Sequence, residues 1–563
     1  MEKIWHILPS HPKRQAELVS ALHIHPIVAQ LLINRDIQEP EAAKLFLSAE
    51  MEGLLDPFTM KGIPEAVDRL KLARDRKEKV LIYGDYDVDG VTASALLHDT
   101  FQQYGLNVDN HIPHRMLHGY GLNMEIGEMA KKDGVSLIVT VDCGINACEA
   151  VDVVNSFGID VIIIDHHEPA EQLPKALVII NPKQKECSYP FKDLAGVGLA
   201  AKISQALIGQ ITDEALDFAA IGTVADIVPL LGENRIIVKN GLKRLNQTRN
   251  KGLKALLEIA KILGKDIRPF HVGFILGPRI NAAGRMDSAH DSLDLFLAQD
   301  DEKARGFAAE LEKHNTMRQL MQKEVIEEAL AIVEQEVNFN EDKVIVICKE
   351  GWHKGVLGIV ASRITDKYFR PAVVISVEDG VGTASARSID GFHLHDALLA
   401  CSELLVRFGG HEGAAGLTIK EENIELFRKQ INHIACKNLE QKKLVPTIHI
   451  DCEVALADIN LELAHTVDTM EPFGEGNPEP VFCVLGVTVK SRPQVMGKET
   501  IKFWVSDDHA AISAVGFGMG RFAEIIDVGS KVDLAFNIGI DDWNKAPVAQ
   551  LKLKDVRLTC QKI

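Results

Sequence analysis

The stretch KVLIYGDYDVDG, Lys79 to Gly90, decides the fold. An apolar run of strand length, KVLIY (79–83), passes directly into an acidic loop with Asp85, Asp87 and Asp89 at every second position. Comparable runs follow at SLIVTV (136–141), DVIII (160–164) and LVII (177–180), with helical segments between them. Continuous apolar strands that alternate with helices predict an α/β fold, a parallel sheet covered by helices on both faces. In such a sheet, ligands gather at the carboxyl ends of the strands. The acidic loop stands at such an end.

Three hard oxygen donors at spacing two are a means of holding a divalent cation on a short loop. An EF-hand opens with the same D-x-D-x-D-G pattern. Here its twelfth position would be Leu96, where a bidentate Glu is needed, and a strand precedes the loop. Two further acid-bearing turns occupy equivalent places. Asp142 ends the strand 136–141, and Asp165, His166 and His167 end the strand 160–164. Asp226, in GTVADIVPL, is a fourth candidate, a lone carboxylate in an apolar stretch. Singly, Asp142 or Asp226 reads equally well as a helix N-cap, while a solvated acidic turn is the weaker reading of the first loop. Together with Asp-His-His, the carboxylates predict a binuclear cation site. Carboxylates mixed with imidazole suit manganese, with magnesium as the second choice; zinc lacks thiolate ligands here. Two such ions about 3.5–4 Å apart are a common means of hydrolysing a phosphodiester.

The chain has 563 residues, too many for one core, and its 46% apolar and 25% charged residues are ordinary for a globular protein. The net charge of −18 excludes a blanket positive surface, so any nucleic-acid contact must be local or use bound cations. Nine cysteines include no CxxC, and the N-terminal MEKIWHILPSHPKRQ lacks the apolar core of a signal peptide. A soluble cytoplasmic protein, away from any membrane, is expected. Five segments are expected: an N-terminal helical appendage (1–50), the sheet domain with the acidic turns (51–300), and a connecting helix (301–336). A second α/β domain (337–445), with strands at 343–348 and 372–377 and a helix near 394–406, and a small OB-like β-barrel (446–563) complete the chain. The barrel is read from alternation such as IKFWV (501–505), where Lys502 and Trp504 share the outward face. PFGEGNPEP (472–480) has the composition of a linker or turn.

YGDYDVDG, TVDCG, the DHH triplet at 165–167, LAGVGLAAK (194–202) and GTVADIVPL resemble the successive motifs of the DHH phosphoesterase superfamily. IPHRMLHGYG (112–121), PRINAAGRM (278–286), TASARS (383–388) and FGGHEGAAG (408–416) extend the resemblance to its single-strand-specific DNA exonucleases. The resemblance implies that Asp87, Asp89, Asp142, His166 and Asp226 ligate two manganese ions, with Asp142 as the bridge. Asp85 and Asp165 would be further ligands or orienting partners. It gives His167 the scissile phosphate or leaving oxygen, and Arg115, Ser385 and Arg387 a pocket for a 5′-terminal phosphate. Arg279 or Arg285 would reach the backbone near the cut, and His411 would belong to a substrate-binding turn. The implied activity is 5′→3′ removal of 5′-mononucleotides from single-stranded DNA in recombination and repair. A cleft between the two α/β lobes would exclude a duplex, and a single-strand-binding protein and a RecQ-type helicase would be partners.

Competing readings are weaker. Gly196-Val-Gly198 imitates a dinucleotide fingerprint, but no apolar strand precedes it, so tight packing or a substrate-proximal loop is expected instead. Trp504 could stack a base, although residues 447–563 hold 11 Lys plus Arg against 17 Asp plus Glu. A DHH phosphodiesterase of short oligonucleotides or cyclic dinucleotides would not need the second lobe and barrel. A non-catalytic DNA-binding scaffold would have lost ligands that are all present here.

Overall fold

The computed structural model describes residues 3–113, 121–286, 289–439, 444–497, 499–541 and 546–559. They form two compact units. The larger draws on Trp5–Asn281 and Ile448–Ile563, and the smaller centres on Ala309–Thr447.

In the larger unit, the predicted strands appear as Lys79–Gly84, Val135–Val141, Asp160–Ile164 and Val178–Ile180. They pair in parallel with a fifth, Asn107–His111, on the outer side of the first. Sequence reading missed that edge strand because NVDNH holds a single apolar residue. The spatial order is second, first, third, fourth, fifth, so the chain reverses direction between Lys79–Gly84 and Val135–Val141. A sheet of this order opens its ligand crevice between those two strands.

The first strand passes into the helix Val88–Tyr104 through the acidic loop. Asp87 is the N-cap, its Oδ1 accepting from Gly90 N at 3.1 Å. A Cβ on Gly90 would stand 2.5 Å from the Asp85 carbonyl oxygen, so only glycine permits this tight strand-to-helix passage.

The C-terminal strands close into an OB-type barrel. Phe482–Val489 pairs with Lys531–Asp541 on one side and with Thr500–Ser506 on the other. This strand escaped the sequence reading. Its alternation is broken by Gly486 at φ 67° and by a register shift between Val484 and Val487. Ile501, Phe503 and Val505 point inward as predicted, and Trp504 is 47% exposed.

The N-terminal helices Pro12–Leu22, Pro26–Ile33 and Pro40–Ser48 share one apolar core with the barrel. Leu31, Leu32 and Phe46 pack in the cluster that holds Leu463, Met470, Phe482 and Phe536. Nor is 472–480 a free linker. Leu230 N donates to Glu475 O at 2.8 Å, and Arg35 donates to Asn477 Oδ1 and Pro478 O, both at 2.7 Å. At the centre lies Arg235, 1% exposed, in the helix Gly232–Arg244. Its guanidinium donates to the carbonyls of Phe46 (2.6 Å), Glu471 (2.8 Å) and Pro472 (3.4 Å) and lies 3.8 Å over the Phe46 ring. One buried cation thus ties the N-terminal helices and the barrel to the sheet domain. No single helix among the described residues is long and apolar enough to cross a membrane.

The smaller unit is a mixed five-stranded sheet in the order Leu405–Gly410, Ala414–Lys420, Val381–Arg387, Ala372–Glu378, Ile345–Glu350. The helix expected near 394–406 stops at Leu399, and the chain returns as the strand Leu405–Gly410. The helix Asp301–Glu336 carries the chain into this unit, as expected.

Replacing Arg235 by Met would leave three buried carbonyls without their donor, at a cost of about 3–5 kcal/mol. We expect R235M to lower the unfolding temperature and to open the 471–480 segment to limited proteolysis; wild-type behaviour in both assays would refute the role given to Arg235.

Candidate metal centre

Asp89 is the most constrained acid of the site. Its side chain is fully buried against the start of the helix Gly196–Ile208, where Oδ2 accepts from Gly196 N at 2.6 Å and Oδ1 from Val197 N at 2.8 Å. A helix N-terminus offers unpaired amides and a positive dipole end, which favour a carboxylate. A Cβ on Gly196 would fall 2.8 Å from Asp142 Cβ, and one on Gly222 would fall 2.9 Å from Asp89 Oδ1. Gly196 and Gly222 therefore serve close packing around acids, the first of the two readings of Gly196, and not a dinucleotide loop.

Asp142 follows the third strand with its amide bonded to Ile164 O at 2.9 Å and its backbone at φ 61°. Asp226 caps the C-terminal end of the helix Asp213–Ala225, and the next residue, Ile227, has φ 62°. Neither is a helix N-cap. A β-branched residue with positive φ is a strained outlier, and such strain gathers at functional sites.

The imidazole of His166 reaches all three acids. Nε2 lies 3.2 Å from Asp142 Oδ1, 3.5 Å from Asp226 Oδ2 and 3.9 Å from Asp89 Oδ2. His167 points its Nδ1 at Asp165 Oδ1, 2.8 Å away, and Asp165 also accepts from the amides of Ile145 (2.9 Å) and His167 (3.1 Å). Asp165 thus holds the His167 ring in place. Among the described residues, three groups of ligand atoms are close enough to share an ion: Asp85, Asp87 and Asp142; Asp89, His166 and Asp226; and Asp142, His166 and His167.

The electrostatics call for cations. Burial, then the neighbouring Asp87 charge, pushes Asp89 up to about 7 against the pull of its two backbone hydrogen bonds. Burial and the charges of Asp89 and Asp87 push Asp226 up to about 9 and Asp142 well above the carboxylate range. Burial, then the His167 charge, drives His166 down to about 3, which leaves it a neutral ligand. Burial would raise Asp165, but the hydrogen bond and charge of His167 outweigh it and hold the carboxyl low. The same pair holds His167 above its ordinary value despite burial. His166 Nε2 and Asp226 Oδ2 are both buried with no hydrogen-bond partner among the described residues. Buried acids that cannot all ionise alone, facing a neutral imidazole, fit divalent ions of manganese or magnesium type.

Known proteins resemble this chain domain by domain. Residues 79–223 match the DHH family, N-terminal domain; residues 341–437 match the DHHA1 domain; and residues 450–555 match the RecJ OB domain. The single-stranded-DNA-specific exonuclease RecJ of Bacillus subtilis is 40% identical over 561 residues, 99% of this chain and 71% of that protein. The chain belongs to the RecJ family. The RecJ of Escherichia coli is 34% identical over 81% of this chain and 83% of its own. The crystal structure of RecJ with Mn2+ from Thermus thermophilus superimposes with TM-score 0.85 at 28% identity, over 99% of this chain and 80% of that one. A second structure of that RecJ holds Mg2+, with TM-score 0.79 at 26% identity, over 99% of this chain and 78% of that one.

The other expected residues fall in three places. Arg115 lies outside the described residues. In the larger unit, Arg279 donates from Nη1 to Ile275 O at 2.7 Å, and Trp504 borders a barrel groove of about 800 Å³ with Lys502. In the smaller unit, Ser385 and Arg387 share one half-buried face of Val381–Arg387. A Cβ on Gly358, at the start of the helix Leu357–Tyr368, would lie 3.0 Å from Arg387 Nη2 and 3.7 Å from Ser385 Oγ. Arg285 donates to Gly355 O at 3.0 Å. His411 sits exposed in the hairpin turn after Gly410, its Nδ1 accepting from Gly413 N at 3.3 Å.

Sequence reading missed Asn181 and Lys183. Buried Asn181 donates to His167 O and accepts from Lys183 N, both at 2.8 Å, so it braces the DHH turn against the next strand end. The NP pair after an apolar strand was the available signal. Lys183 pairs with Glu168 at 3.0 Å.

An acid whose pKa rises on folding favours the fold in acid and weakens it as pH climbs. For Asp89 that window runs from about 4, the ordinary carboxyl value, to about 7. In EDTA, we expect the wild-type unfolding temperature to fall across this window and Asp89→Asn to flatten the decline; parallel profiles would contradict the assignment. Manganese ions should raise the wild-type unfolding temperature in a concentration-dependent way and the D89N temperature much less.

Proposed function

We propose that the chain is a metal-dependent exonuclease that removes 5′-mononucleotides from single-stranded DNA in the 5′→3′ direction. The observation that carries this reading is the placement of Asp142 between two ligand groups that share no residue, Asp85 with Asp87 and Asp89 with His166 and Asp226. That arrangement supports two ions bridged by Asp142, manganese by preference and magnesium as an alternative. Bound there, the pair would activate a water and stabilise the charge that builds on the phosphate during in-line displacement.

The protein's own groups divide the remaining work. Asp165 fixes the His167 ring through Nδ1 and keeps it basic, so that His167 contacts the scissile phosphate and delivers a proton toward the departing oxygen. His166 stays neutral and ligating. Ser385 and Arg387, beside the N-terminus of the helix Leu357–Tyr368, are assigned to the 5′-terminal phosphate. A helix N-terminus with a guanidinium is a natural phosphate seat. Arg279 or Arg285 is assigned to the backbone oxygens near the cut, and His411 and Trp504 to the strand beyond. A recombination and repair role in the cytoplasm, with a single-strand-binding protein and a RecQ-type helicase supplying the strand, completes the reading.

Digestion of single-stranded DNA labelled at either end tests it. We expect manganese-dependent mononucleotides from the 5′ end, abolished by EDTA and reduced at least about 1,000-fold by Asp142→Asn, whose geometry is kept while its charge is lost. Blunt duplex should resist. Arg387→Ala should lose most of the preference for a 5′-phosphate over a 5′-hydroxyl end while keeping manganese dependence. Release from the 3′ end, or cleavage confined to cyclic dinucleotides, would overturn the proposal.

A further inference from the structure

We infer that the larger unit carries a nucleobase-stacking groove beside the metal centre, floored by Ile227, Phe270, Phe274 and Phe473; this rests on the exonuclease reading above. Ile227, Phe270 and Phe274 are 70%, 61% and 73% exposed. All three line one groove of about 520 Å³ with Phe473. Scattered exposed apolar side chains are ordinary, whereas several gathered in one groove mark a binding surface.

The groove starts at the chemistry. Ile227 directly follows Asp226, and its positive φ turns a β-branched side chain outward at a strained position. Phe274 sits in a single π-helical turn, Val272–Leu276, that leads into the helix carrying Arg279. Such turns are rare and recur at functional sites. The rings of Phe270 and Phe274 are stacked, with centroids 5.1 Å apart and planes 26° apart, so the pair offers an outer ring face on which a base can continue the stack.

Charge selects the occupant. Among the described residues, the charged ones lining the groove are the carboxylates Glu475 and Glu479. Two carboxylates at the rim repel phosphate, so the backbone must run outside while a neutral base enters. Base–aromatic stacking tolerates any sequence because every base has a π face, as an enzyme that processes arbitrary strands requires. A basic amphipathic peptide would satisfy the same charges. The peptide bond between Asp226 and Ile227 favours a base of the strand being cut, since the strand must pass this residue to be cleaved.

The test is digestion of 5′-phosphorylated oligonucleotides that carry one abasic site, moved one position at a time from the 5′ end, by wild type and by F270A/F274A with manganese. For wild type we expect one position at which base removal lowers kcat/KM about fivefold or more, within the range that base–aromatic stacking supplies. In the double variant that penalty should shrink below about twofold, while intact strands show a raised KM with kcat retained. Phe274→Leu, which keeps apolar area and loses the π face, should behave like the double variant and guards against a folding defect. An abasic penalty that is flat with position, or identical in all three proteins, would overturn the groove. So would unchanged digestion by the variants combined with lost affinity for a basic amphipathic peptide. Failure of wild type to digest an intact strand would instead refute the exonuclease reading.

Discussion

The carboxylate of Asp89 is the point on which the structure turns. It starts the helix after the first strand, yet both its oxygens are bound by amides at the N-terminus of a helix more than a hundred residues further on. A third helix crosses against it at Gly222. Three helices can meet at one acid only because Gly196 and Gly222 lack side chains at the contact. Once they meet, Asp142 and Asp226 are brought to the same His166 nitrogen, and the sheet order supplies the remaining turns at the same edge.

That convergence sets function against stability. Buried like charges raise one another's pKa and weaken the fold until a cation joins them. The structure offsets part of the repulsion with a helix dipole at Asp89 and a histidine partner at Asp165. It leaves Asp226 Oδ2 and His166 Nε2 buried with no hydrogen-bond partner among the described residues, which is the condition for holding ions tightly.

Most of this was legible in the sequence. The four apolar strands, the acidic turns and the imidazole pair follow from periodicity and strand-end position, and the prediction that they converge needed only the rule that parallel sheets bind at their carboxyl edge. What stayed hidden was non-local or unpatterned. NVDNH is too polar for a strand unless a neighbour pairs with it, Gly486 interrupts the alternation of Phe482–Val489, and VGTASAR has small residues where bulk would signal β structure. Residues 1–50 read as an appendage because nothing near them in sequence buries their apolar faces. Their partners lie in the barrel, and Arg235, which binds the parts together, looks in sequence like any surface cation.

The shared core of the N-terminal helices and the barrel also fixes an order of events during synthesis. Leu31 and Leu32 are made early, whereas Phe482 and Phe536, against which their cluster packs, follow roughly 450 residues or more later. At about 5–20 residues per second, a ribosome needs some 20–90 s to cover that distance. The apolar face of Pro26–Ile33 must wait exposed through that interval, while the sheet domain can already fold on local contacts. The nascent chain therefore carries a sticky apolar face until the barrel strands have been made, and this core is assembled from segments roughly 450 residues or more apart in the sequence.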